Sequence, residues 1–140
     1  MSLVFNEKQL LRFEYDFAKD GGAVGVIPLR ADITELAAGM HVVNAYVVQE
    51  TDLVAVGGSV TIGNTTDADG FFADVVALAA SKKAFMVGEV AGALLYDDTN
   101  DHLIMYSPAV ANDFALALTV ATAPITAGKL SVYVEVLASK

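Results

Sequence analysis

A chain of 140 residues with 8 basic and 17 acidic side chains carries a formal charge of -9, which repels a phosphate backbone and disfavours nucleic acid as a partner. The absence of cysteine excludes disulfides, thiol catalysis and thiolate metal sites, and it fits folding in a reducing cytoplasm. Hydrophobic residues make up 55% of the chain, yet they come in short runs broken by charge or glycine, none approaching the ~20 residues that span a bilayer.

At this length one domain buries roughly two-thirds of its unfolded surface and needs no metal to complete a core. The surplus of apolar residues points to burial against further copies or a partner, because obligate interfaces resemble a core cut in half. Residues 1–9 read as an arm, with Leu3, Val4 and Phe5 as an apolar plug, open to two readings: a frayed terminus or a segment that docks on a neighbour. They show no basic start, apolar stretch and small-residue cleavage site, so no classical secretion signal is expected. Residues 10–140 are expected to form the folded domain.

In 12–17 the residues Phe13, Tyr15 and Phe17 alternate with Arg12, Glu14 and Asp16, which predicts a strand with its aromatics inward. Asp20, Gly21 and Gly22 signal a turn. Residues 23–29 then read as a second strand, restricted to an edge or a strand end by Pro28. The run 40–49 is apolar on both faces and suits a central strand covered on both sides, or one with its outer face against another subunit. After Gly57 and Gly58, Val60 and Ile62 alternate with the hydroxyls of Ser59 and Thr61 in another strand.

From 71 to 80 the period changes. Phe72, Val75, Val76 and Ala79 fall at helical spacing, which predicts a short helix capped by Asp67 or Asp69. Residues 84–87 read as a short strand or extended segment, and 91–96 with 103–106 as an apparent hairpin around an acidic tip. The last quarter organises the chain: Phe114, Leu116, Leu118 and Val120 put bulk on one face of one strand, and Leu130, Val132, Val134 and Val136 do so on the next. Pro124 and Gly128 lie in the turn that joins these two strands into a hairpin. The fold class is all-β: a single-domain, jelly-roll-like β-sandwich of eight or nine strands with one short helix near 71–80.

No constellation carries chemistry. Asp97, Asp98, Asn100, Asp101 and His102 are the densest oxygen ligands, but they lack the central glycine and closing Glu of a calcium loop, so a solvated tip is the preferred reading. Thr65, Thr66, Asp67, Ala68, Asp69 and Gly70 mimic the front of such a loop, with Val76 where its Glu belongs. His41 and His102 come without a nucleophile motif; Glu14 and Asp16 share a strand face with Arg12 in water. The glycines from Gly21 to Gly25 precede no helix and lysine, and Tyr15, Tyr46, Tyr96, Tyr106 and Tyr133 all sit in strand patterns as packing residues. Catalytic, metal and cofactor-binding residues are therefore each expected to be none.

Three stretches carry a resemblance: 13–18 with Asp20, Gly21 and Gly22; 62–71, from Ile62 through Asn64, Asp67 and Asp69 to Phe71; and 118–122 with 125–130. They are similar to small structural proteins of tailed-bacteriophage heads, the decoration (cement) and minor virion proteins. The resemblance implies a non-enzymatic β-sandwich that binds the outer capsid lattice and the major capsid protein as a homo-oligomer, a trimer by preference. It would be assembled in the bacterial host cytoplasm, placed on the virion exterior, and would stabilise the head by many simultaneous contacts. A surface module that recognises glycan or receptor is the alternative, and a small hydrolase ranks last.

Overall fold

The computed structural model describes residues 7–31, 40–76, 84–86, 92, 94–97, 99–100, 102–107 and 115–138. Among them the chain runs β1 (Glu7–Asp16), α1 (Phe17–Asp20), β2 (Gly25–Pro28), β3 (Arg30–Ala31), β4 (Met40–Val54), β5 (Ser59–Gly63), β6 (Ala84–Met86), β7 (Tyr96–Asp97), β8 (His102–Leu103), β9 (Ala117–Ala121) and β10 (Ala127–Ala138). A five-stranded sheet has the order β3-β1-β10-β4-β6, a three-stranded sheet the order β2-β9-β5, and β7 pairs with β8 alone. All the pairings are antiparallel. The result is an all-β, single-domain sandwich.

The period of two builds the core. Leu11, Phe13 and Tyr15 of β1, Val132, Val134 and Val136 of β10, and Val42, Ala45 and Val47 of β4 are buried on one face of the large sheet. Val60 and Ile62 of β5 with Leu118 and Val120 of β9 are buried on the facing side of the small sheet, in the same apolar cluster. The two strands of the last quarter thus take the centre of opposite sheets. The expected hairpin between them is corrected: their heavy faces do meet, but across the core. At the crossing Ala123 donates to the Ala121 carbonyl (2.9 Å) around Thr122, whose φ is 72, the geometry of a strained γ-turn.

Several boundaries differ from expectation. Glu7, Lys8 and Gln9 pair with Ala138, Leu137 and Val136, so the expected arm overlaps β1; residues 1–6 lie outside the described residues. Phe17, expected inward, is 36% exposed, because Asp16 accepts from the Ala18 N–H and ends the strand in a helical turn. Pro28 does stand in an edge strand, where a missing donor is tolerated. Residues 71–75, expected to open the helix, instead pack against β5: Phe71 and Phe72 donate to the Ile62 carbonyl and Val75 to that of Val60. The chain turns helical only at Val76, whose N–H is capped by Asp74 in place of Asp67 or Asp69; 77–80 lie outside the described residues.

Candidate interaction surfaces

The groups with potential chemistry are engaged locally. At the β7–β8 tip the Asp97 carboxylate accepts from the Thr99 N–H (3.0 Å), the Asn100 N–H (3.2 Å) and Asn100 Nδ2 (2.8 Å). The Asn100 side chain first, then its backbone N–H, hold that carboxyl below the usual aspartate range. The tip is a side-chain-closed turn; Asp98 and Asp101 lie outside the described residues. His102 stands across from Asp97, whereas His41 Nδ1 meets Ser107 Oγ at 2.6 Å, so the two histidines have separate partners.

The 64–70 loop closes in the same way. Asn64 Oδ1 accepts from the N–H groups of Thr66 (3.1 Å) and Asp67 (3.0 Å), its Nδ2 donates to the Tyr106 hydroxyl, and Thr61 Oγ1 donates to the Ala68 carbonyl. A hydrogen bond shared with Asp69, followed by desolvation, raises the Asp67 carboxyl above its usual range. Among the described residues no three His, Asp or Glu side chains converge as a metal site would require.

The outer face of the large sheet is charged and internally paired. Arg12 Nε donates to Ser131 Oγ (3.1 Å), and its guanidinium lies 3.4 Å from Glu50 and 3.8 Å from Glu14. Ser131 of β10 is the short residue that lets Arg12 of β1 reach across to β4. Lys129 pairs with Glu50 (3.2 Å), and Arg30, opposite Glu14 in the β1–β3 register, pairs with Asp20 (3.0 Å). Glu14 and Asp16 therefore part company: Glu14 joins this network, and Asp16 caps α1. Burial first, and then a bond to Glu135, raise the Tyr46 phenol on the same face.

The outer face of the small sheet is the opposite. Since Ile62, Leu118 and Val120 point inward, the cross-strand rows Val26–Thr119–Thr61 and Pro28–Ala117–Gly63 point outward. Val26 is 68% exposed, and a groove of about 260 Å³ runs beside it along Gly63, Asn64, Ala68, Ala117 and Thr119. Residues 21–29, 53–66 and 115–128, which supply all three strands and the turns at one end, contain no charged residue. Runs without Asp, Glu, Lys or Arg are not confined to these three, since 36–49 is another, so the sequence alone does not mark them as one face.

No family model and no curated protein match this sequence. Among solved structures, a chain of the cyanophage Pam1 capsid asymmetric unit superposes with a TM-score of 0.62 at 13% identity, over 95% of this chain and 86% of that one. The fold is one found in phage capsids. A second neighbour, from the acidic stable capsid structure of Helicobacter pylori bacteriophage KHP30, gives a TM-score of 0.54 at 20% identity, over 95% of this chain and 93% of that one. At these identities the likeness is one of fold.

Proposed function

We propose that this chain is a non-enzymatic structural protein of a phage virion, a decoration protein that binds the outer capsid lattice as a homo-oligomer, a trimer by preference, and stabilises the head. The observation that supports it most is the extent of the match: nearly the whole chain corresponds to nearly the whole of a chain in the KHP30 capsid structure, so the shared unit is the complete fold and not a common submotif. The resemblance of 13–18, 62–71 and 118–122 with 125–130 to head decoration proteins points the same way, and the Asp97 carboxylate is taken up in closing its own turn. Its action would be adhesive, with modest affinity per copy multiplied by contacts repeated over the lattice. The test is to add the purified chain to heads that lack it. Co-sedimentation at a fixed ratio of copies to shell subunits, with a rise in the temperature at which heads open, is the expected result; a chain that stays in the supernatant would overturn the reading.

A further inference from the structure

We propose that the uncharged outer face of the small sheet, β2-β9-β5, is where this chain packs against a second copy of itself. The inference rests on the reading of the chain as a self-assembling shell protein, and it supplies the surface used.

Charge selects that occupant. Two copies at -9 each repel one another, and apposing their large sheets would take the pairs of Arg12, Arg30 and Lys129 with Glu14 and Glu50 out of water. Desolvating ion pairs can cost more than their mutual attraction returns. The strands of the small sheet carry no such group: outward across β2, β9 and β5 stand valine, proline, alanine, glycine, serine and threonine, with the 64–70 loop that carries Asp67 and Asp69 lying over Gly63 and Thr61 at one end. A neutral surface is compatible with a copy of itself. The hydroxyls of Ser59 and Thr119 each donate and accept, and that of Thr61, which donates to the Ala68 carbonyl, can still accept, so copies meeting through this face can satisfy one another without a complementary charge pattern. Val26 stands exposed on the rim of a groove bordered by Gly63, Ala68 and Ala117, an aliphatic projection beside a recess that an aliphatic projection can fill. The acid pair Asp67 and Asp69 flanks only one end of that groove, at Ala68.

The salt dependence then has a definite sign. Screening weakens the general repulsion, since the Debye length shortens to about 10 Å at 0.1 M, while a neutral contact has no attraction to lose. Self-association should tighten as salt is raised, whereas an interface built on ion pairs would loosen.

Sedimentation velocity on the full chain tests this with Val26→Asp, Thr119→Glu and, as a control on the other sheet, Leu10→Asp, an exposed apolar residue at 57%. Circular dichroism checks each fold; Val26 lies in an edge strand with its side chain in water, so its variant is expected to fold even if that of Thr119 does not. The expected result is a wild-type oligomer that tightens with salt, weakened by about tenfold or more in Val26→Asp and unchanged within about twofold in Leu10→Asp. An oligomer that survives Val26→Asp but is lost in Leu10→Asp overturns the assigned face and leaves the virion reading standing. A wild-type chain that stays monomeric but binds heads, and loses that binding in Val26→Asp, overturns self-packing and gives the face to the shell. Loss of head binding by the wild-type chain itself strikes the virion reading separately.

Discussion

Tyr15 brings a hydroxyl into the core and leaves it one partner, the Gly21 carbonyl, to which it donates at 2.5 Å. Tyr15→Phe keeps the ring and removes that hydrogen bond from an exposed Gly21, so urea unfolding should show a loss of about 1 kcal/mol. Desolvation, and then the negative charges of Asp20 and Asp16, push the phenol up to about 12. A group whose folded pKa is raised gives stability that is whole below its unfolded value and disappears as pH climbs through the folded one. The wild-type protein should therefore weaken between ~pH 10 and ~pH 12, and Tyr15→Phe should weaken less over that window. Two carboxyls act in opposite senses in acid. Burial pushes Asp20 up, but the Arg30 hydrogen bond, the Asp16 N–H and the charges of Arg30 and Lys19 outweigh it, leaving Asp20 lowered. Its contribution is present above the ordinary aspartate value and is lost as pH falls through the lowered one. Asp67 is raised by its bond to Asp69, so its contribution is present in acid and fades as pH rises through the raised value. Asp69→Asn should thus hold or gain stability near neutrality and lose part of the acid-side advantage; a denaturation midpoint measured from ~pH 4 to ~pH 7 reads both changes.

At the scale of elements, the turns at one end of the sandwich are pressed together by backbone contacts. Ile125 donates to the Gly22 carbonyl at 2.8 Å, and a Cβ on Gly22 would stand 2.1 Å from the Ile125 oxygen. Gly21, one residue earlier, faces open space at φ +73. Gly22→Ala should consequently cost more than about 3 kcal/mol through a backbone clash, and Gly21→Ala about 1–3 kcal/mol of backbone strain, since φ 73 with ψ -172 is a conformation essentially confined to glycine. Thr122, a β-branched residue at φ 72, gives the reverse sign: Thr122→Gly should be neutral or stabilising by about 1 kcal/mol, since relief of strain exceeds the added chain entropy. These turns also mark where sequence reading stopped. Alternation in 12–16, 59–62, 116–120 and 130–136 made the buried residues legible, because a half-buried strand writes its faces into the period of two. The same pattern says nothing about which strands pair, so the last two strands read as a hairpin when Thr122 turns them onto opposite sheets. Phe71 and Phe72 misled for a related reason: two adjacent aromatics match a helical face as well as they match a segment strapped to β5, and the bonds to the Ile62 carbonyl decide it. The candidate surface was written as an absence of charge in 21–29, 53–66 and 115–128, which shows as a face only once β2, β9 and β5 are seen to lie side by side.

The whole molecule has one core shared by two unlike sheets, and that sets how it should unfold. Leu118, at the centre of the small sheet, and Val132, at the centre of the large one, belong to the same buried cluster, so neither sheet keeps its inner face dry without the other. Leu118→Ala should cost about 2–5 kcal/mol by the cavity it leaves. Its signature lies in the coupling between probes. Three of the five tyrosines, Tyr15, Tyr46 and Tyr133, sit in the large sheet, Tyr106 bridges to its Val42, Tyr96 lies in β7 and none sits in the small sheet, so tyrosine fluorescence reports chiefly on the sheet that does not carry the substitution. If the shared core makes folding all-or-none, the tyrosine midpoint in urea falls by the same amount as the far-ultraviolet dichroism midpoint, with the slope of each transition unchanged. Independent stability of the large sheet would leave the tyrosine midpoint in place while dichroism moved alone, and the single-core description would fail. A cooperative fold of this kind suits a protein whose proposed task is to hold a shell closed, because load applied at either outer face is resisted by the whole sandwich.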